Sequence, residues 1–143
     1  MVVVFLLFAM PALAGELKGV KLPDAVEVDG KQLKLNGMGL RTKVFFKVYV
    51  AGLYLEETSS DPAIILTRDQ TRRVEMVMLR DLEKAKITDA IQVGFEKNDA
   101  QKMPALKERL GKLMEAIPDL KEGQLLRLTY VPVPHDGGDH TLD

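Results

Sequence analysis

The chain contains no cysteine and no tryptophan, few aromatics, and only two histidines, His135 and His140, both near its end. Without cysteine no disulfide can supplement the core, and no thiol nucleophile exists. Serine occurs in no Gly-x-Ser-x-Gly elbow, so neither Ser/His/Asp nor Cys/His hydrolysis has residues to act through. A net charge of −1 with no basic block argues against a nucleic-acid surface. The glycines of Asn36-Gly37-Met38-Gly39 are followed by neither Lys-Ser/Thr nor a helix, which excludes a phosphate loop. His135, Asp136, Asp139 and His140 have metal-ligand chemistry, but they sit on a Gly-Gly loop at a terminus where nothing pre-organises them. No metal and no cofactor are expected.

What is present begins with an apolar run, MVVVFLLFAMPALA, ending in the small-x-small pattern Ala12-Leu13-Ala14. It reads as a secretory signal peptide over 1–14, cleaved after Ala14, and it points to a periplasmic or secreted protein. Spanning a bilayer takes roughly 20 apolar residues, so stable membrane insertion of the mature chain is not expected. No Lys or Arg precedes the run, so either the start lies upstream or the leader is irregular. One domain is expected over 15–132, followed by a disordered tail at 133–143 that has no apolar periodicity.

Within the domain, Ala25–Val28, Asp29-Gly30 and Gln32–Leu35 read as a hairpin with a primed turn. Asn36–Gly39 reads as a bend that re-aims the backbone before a central strand, in which Val44, Phe46, Val48 and Val50 face one way and Lys43, Phe45, Lys47 and Tyr49 the other. Gly52 interrupts that pattern, as a bulge or a close backbone approach would. Arg41 and Tyr54 differ in parity, and a bulge near Gly52 would bring them to one side. Ala63–Thr67 is a short helical turn or strand, and Arg72–Arg80 a strand with Val74, Met76 and Met78 on one face. Thr88-Asp89 signals the start of a first helix. A second has Pro104 in its first turn and an apolar stripe of Leu106, Leu110, Leu113, Met114 and Ile117, stopped by Pro118. Gln124–Val131 is the last strand. The Asp and Glu residues read as solvated.

The run Leu35-Asn36-Gly37-Met38-Gly39-Leu40-Arg41, continued by Phe45-Phe46-Lys47-Val48-Tyr49-Val50-Ala51-Gly52-Leu53-Tyr54-Leu55, closely resembles the signature of the bacterial chalcone isomerase-like family. The order of elements agrees from Gly15 to Val131. The resemblance implies an α+β fold, an open-faced β-sandwich in which a curved antiparallel sheet packs against helices. It also implies one of two functions. Enzymes of the superfamily cyclise chalcones as isomerases (intramolecular lyases), and related non-catalytic members bind fatty acids, with an Arg and a Tyr gripping the carboxylate. The spacing of thirteen positions between Arg41 and Tyr54 resembles that of the binders. Arg41, Tyr54 and Tyr49 are therefore the expected ligand-binding residues, and the expected partner is a small amphiphilic carboxylate. The enzymes' active-site Thr, Tyr and Asn fall on Tyr49, Ile87 and Gly94, so the network that polarises the ketone is missing and catalysis is disfavoured. A third option is a structural or interaction module of the envelope. Family members continue into a Trp-containing C-terminal segment, so the domain is expected to be C-terminally incomplete.

Overall fold

The computed structural model describes residues 15–133. The proposed leader, and the tail with His135, Asp136, Asp139 and His140, lie outside the described residues. In chain order the elements are β1 (Gly15–Leu17), β2 (Val20–Leu22), β3 (Ala25–Val28), β4 (Lys31–Lys43), β5 (Phe46–Leu55), α1 (Pro62–Thr67), β6 (Arg72–Met78), α2 (Lys84–Asp99), a single 3-10 turn (Ala100–Lys102), α3 (Met103–Ala116) and β7 (Leu125–Tyr130). The short strands β1 and β2 form a two-stranded ribbon, and the other five form a curved antiparallel sheet in the order β3-β4-β5-β6-β7. The fold is α+β, as expected.

Local chemistry explains several of these elements. The β3–β4 hairpin turns on Asp29 and Gly30, whose φ of 51° and 73° are the positive pair that a primed turn requires, and its register sets Val28 against Lys31 and Ala25 against Lys34. The helix α1 is capped by Asp61, whose side chain accepts from the Ala63 N–H, and Pro62 occupies its first turn. The helix α3 begins and ends where Pro104 and Pro118 predict.

Two expectations are corrected. Asn36–Gly39 is no bend; it lies inside β4, a single strand of 13 residues. The turn falls instead at Val44-Phe45, within the expected central strand, which the structure divides between β4 and β5. Strong β propensity at Val44 and Phe45 concealed it. Similarly, α2 starts at Lys84 rather than at Thr88. The Lys84 N–H is held by Asp119 Oδ1 at 2.7 Å, a partner 35 residues away that no local cap signal announces. Thr88 lies within the helix, its hydroxyl donating back to the Lys84 carbonyl.

By packing, the chain divides into two units. The first takes in residues up to Leu40, Val50–Met76 and those from Arg127 onward. Its core is Val28, Leu33 and Tyr54, with Val26, Leu35 and Val131 packed on them. The second takes in Arg41–Tyr49 and Val77–Leu126. There Leu82 and Leu120 exchange both backbone hydrogen bonds, at 2.7 and 2.9 Å, and Asp81 accepts from Lys121 Nζ and the Glu122 N–H. The stripe on α3 is buried at Leu110, with Ile117 buried just past the helix end and Leu106, Leu113 and Met114 half-buried.

Gly52 is a close-approach glycine. It lies inside β5 with an ordinary strand φ, and burial alternates through it from Val50 to Tyr54 without a change of phase. A Cβ there would collide with Leu22 Cδ1 and sit 3.1 Å from Leu35 Cδ1. The phase change is on β4, where burial passes from Leu33 and Leu35 to Asn36, Met38 and Leu40, as an extra residue in a strand produces. Since Leu22 is buried and cannot swing aside, Gly52→Ala is expected to cost about 1–3 kcal/mol in urea unfolding. Gly37→Ala, whose added methyl meets nothing within 4 Å, should be near neutral in the same measurement.

Candidate functional site

Each expected ligand residue has a distinct setting. Arg41, near the end of β4, is exposed, and among the described residues its guanidinium has no hydrogen-bond or ion-pair partner. Tyr49, on β5, is half-buried. Tyr54, further along β5, is completely buried, and its hydroxyl donates to the Pro23 carbonyl at 2.9 Å. Because Arg41 and Tyr54 stand on different strands, their parity along the sequence does not decide which faces they share. Arg41 and Tyr49 belong to the second unit and Tyr54 to the first.

The chemistry available to each follows from its surroundings. A free guanidinium offers a planar fork of donors suited to a carboxylate. The Tyr54 phenol has already given its only proton to Pro23 and remains able to accept. Burial, reinforced by the negative charges of Glu75 and Asp24, pushes its pKa up to about 12. It therefore stays neutral across the physiological range. Of the positions matching the enzymes' active-site residues, Ile87 is a buried aliphatic on α2, and Gly94 lies on the same helix beside Ala90, Ile91, Phe95 and Asn98 along a shallow groove. Neither supplies the donor that a ketone-polarising network needs.

The sequence reading missed Glu75. Alternation along β6 put Val74, Met76 and Met78 on one face and left Glu75 to solvent, yet it is only 3% exposed. Its carboxylate accepts from Arg127 Nε on β7 at 2.9 Å, with Arg73 Nη1 at 4.0 Å. Arg73 in turn donates to Thr129 Oγ1. On the same side of the sequence, Arg72 stacks over the Tyr130 ring, and the Tyr130 hydroxyl donates to Asp69 at 2.8 Å. The one local hint was the pair of arginines just before Glu75. The decisive partner, Arg127, is 52 residues away.

Nearby in the first unit, Glu56 Oε1 accepts from Lys31 Nζ at 2.9 Å and from the Thr71 N–H at 2.8 Å. These bonds, the lysine's first, lower its pKa to about 2. Gln70 Nε2, Thr71 Oγ1 and Arg72 Nε are buried side-chain atoms without a protein partner. Among the described residues no group of His, Asp and Glu is arranged to hold a metal ion.

The Tyr54 environment predicts an alkaline transition. An unfolded phenol ionises near 10, whereas Tyr54 holds its proton to about 12. The resulting stabilisation is complete below pH 10 and is lost as pH rises toward 12. The Tyr130 phenol is also pushed up, first by its hydrogen bond to Asp69, so an absorbance titration of the three tyrosines should show more than one late component, of which that of Tyr54 coincides with unfolding. Tyr54→Phe should remove that component and, by leaving the Pro23 carbonyl unpaired, cost about 1–3 kcal/mol at neutral pH. An unchanged number of late-titrating tyrosines after the substitution would refute the assignment.

Comparison with known proteins agrees with this architecture. The fold is shared with the crystal structure of a fatty-acid binding protein of Arabidopsis thaliana, at a TM-score of 0.62 and 15% sequence identity, over 80% of this chain and 70% of that one. No curated protein matches the sequence. A family model described as chalcone isomerase-like matches residues 14–136. Spanning most of the chain, including the run from Leu35 to Leu55, that match places this protein in the chalcone isomerase-like family.

Proposed function

We propose that the protein is a non-catalytic binder of a fatty acid or a similar anionic amphiphile, acting after export to the periplasm or the medium. One observation carries the reading: a family member that shares its fold with a fatty-acid binding protein has a guanidinium, Arg41, with no partner among the described residues. A carboxylate would satisfy that guanidinium, and apolar surface would take the chain at about 0.8 kcal/mol per buried methylene. In the proposed Arg41/Tyr54 clamp, Arg41 supplies the charge. Tyr54 would have to release the Pro23 carbonyl before donating to a ligand, so its share is the smaller. Tyr49 lies on the same strand as Tyr54 and has its side chain half open to solvent. Cyclisation of a chalcone is the weaker reading, since Ile87 and Gly94 stand where the enzymes' donors are implied.

The export half of the proposal rests on the apolar run closed by Ala12-Leu13-Ala14, and N-terminal sequencing of the secreted product should begin at Gly15. For binding, the delipidated protein is titrated with laurate by calorimetry. Replacing Arg41 with Ala should remove a charge-assisted contact of about 1.5–3 kcal/mol, a loss of ten-fold or more in affinity. Wild-type affinity in that variant would reject the clamp.

A further inference from the structure

The turn that divides β4 from β5 leaves apolar side chains in solvent. Phe45 is 94% and Val44 79% exposed, the two highest values for large apolar residues among those described, and Phe46, the next residue in the chain, is 58% exposed. Cations surround the tip. Arg41, Lys43 and Lys47 are exposed and have no ion-pair partner among the described residues, and the Arg80 guanidinium lies over the Phe46 ring, 4.5 Å from its centroid. From Gly30 to Leu55 the sequence has five cations and no acid. The acid next to Arg80, Asp81, already accepts from Lys121 and the Glu122 N–H.

The backbone supplies an independent observation. Val44 has a φ of +58° while Phe45 does not share the positive sign, the φ pattern of a type II′ turn, whose first central position normally holds glycine. A β-branched residue in the left-handed region is strained. Glycine or asparagine would make the same turn with less strain and without exposing hydrocarbon, so folding and solubility both argue against the valine. Strain of this kind is retained where the side chain has another use.

We propose that the β4–β5 tip docks on an anionic lipid bilayer. Val44 and Phe45 enter the boundary between headgroups and acyl chains, while Arg41, Lys43, Lys47 and Arg80 meet the headgroup phosphates. Apolar residues flanked by cations are the composition that binds such an interface without spanning it. A second copy of the chain fits less well, because an isologous contact at this tip would bring like charges together. Among the described residues no helix is long and apolar enough to cross a membrane, which is consistent with attachment at the surface. The docking reading does not require the carboxylate clamp.

The test is co-sedimentation of the full, delipidated chain with phosphatidylglycerol–phosphatidylcholine vesicles and with pure phosphatidylcholine vesicles. Binding is expected on the anionic vesicles, weakening as salt is raised, with little on the neutral ones. Phe45→Ser should weaken it about ten-fold. Lys43→Gln and Lys47→Gln should each weaken it about five-fold. Val44→Asn should lower vesicle binding while raising the thermal midpoint, because asparagine tolerates the left-handed conformation. That opposite movement separates docking from a folding defect. Laurate affinity should be unchanged in all four variants, so failure of the clamp and failure of docking are read separately. Absence of binding to anionic vesicles, or Val44→Asn and Phe45→Ser binding as wild type, would overturn the proposal. So would a dimer in sedimentation equilibrium that Phe45→Ser abolishes while the wild type ignores vesicles.

Discussion

Tyr54 is the side chain on which the first unit depends. It is the largest of the fully buried residues, and it is packed with Val28 and Leu33 from the β3–β4 hairpin. A buried phenol hydroxyl must find a partner, and this one finds the Pro23 carbonyl in the segment between β2 and β3. One hydrogen bond thus ties the entry of the sheet to its central strand. Two positions before it, Gly52 lets Leu22 and Leu35 close over the strand. Any larger residue at 52 would separate the pieces that Tyr54 holds together.

The same constraint shapes the functional reading. A tyrosine that anchors a core is a poor free donor for a ligand, because its proton is committed and its neighbours Glu75 and Asp24 oppose ionisation. An exposed arginine without a partner among the described residues has the opposite character: it adds little to stability, and a carboxylate ligand would engage it fully. Of these two residues of the Leu35–Leu55 run, Arg41 is therefore the one whose side chain has no partner among the described residues, and Tyr54 the one committed to structural support. Glu75 with Arg127 and Arg73 belongs with Tyr54 on the structural side. Glu75 is buried while the Arg127 side chain is more than half exposed, so water screens part of the pair, and loss of the arginine would leave a buried carboxylate without its main partner.

Much of the fold was legible in the sequence because its signals were local. Asp29-Gly30 and the Pro104 and Pro118 bounds of α3 each act within a few residues, and each appears in the structure where expected. What stayed hidden depended on partners far along the chain. Asp119 caps α2, Arg127 pairs with Glu75, and Leu22 explains Gly52, and none of these is visible in a window of ten residues. The change of burial phase in β4 was legible only as an irregularity, and reading β4 and β5 as one strand assigned it to Gly52. Of the candidate site, the sequence showed the identity of Arg41, and the structure adds that it is exposed and without a partner among the described residues. The environment of Tyr54, which sets its chemistry, was not legible in the sequence.

The turn at Val44 shows the limit of propensity most clearly. Every residue from Thr42 to Val50 favours or tolerates a strand, and no glycine, asparagine or proline marks the reversal. The chain nonetheless reverses there because pairing β4 with β5 buries Val50, Tyr54 and Leu55 on one strand and Leu33 on the other, and that gain outweighs the strain at one residue. The energy that fixes the turn thus comes from core residues well removed from it. Packing explains why the chain turns at Val44 but not why valine occupies the position, since asparagine would allow the same pairing. The identity of the tip residues is the part of this hairpin that folding leaves unexplained.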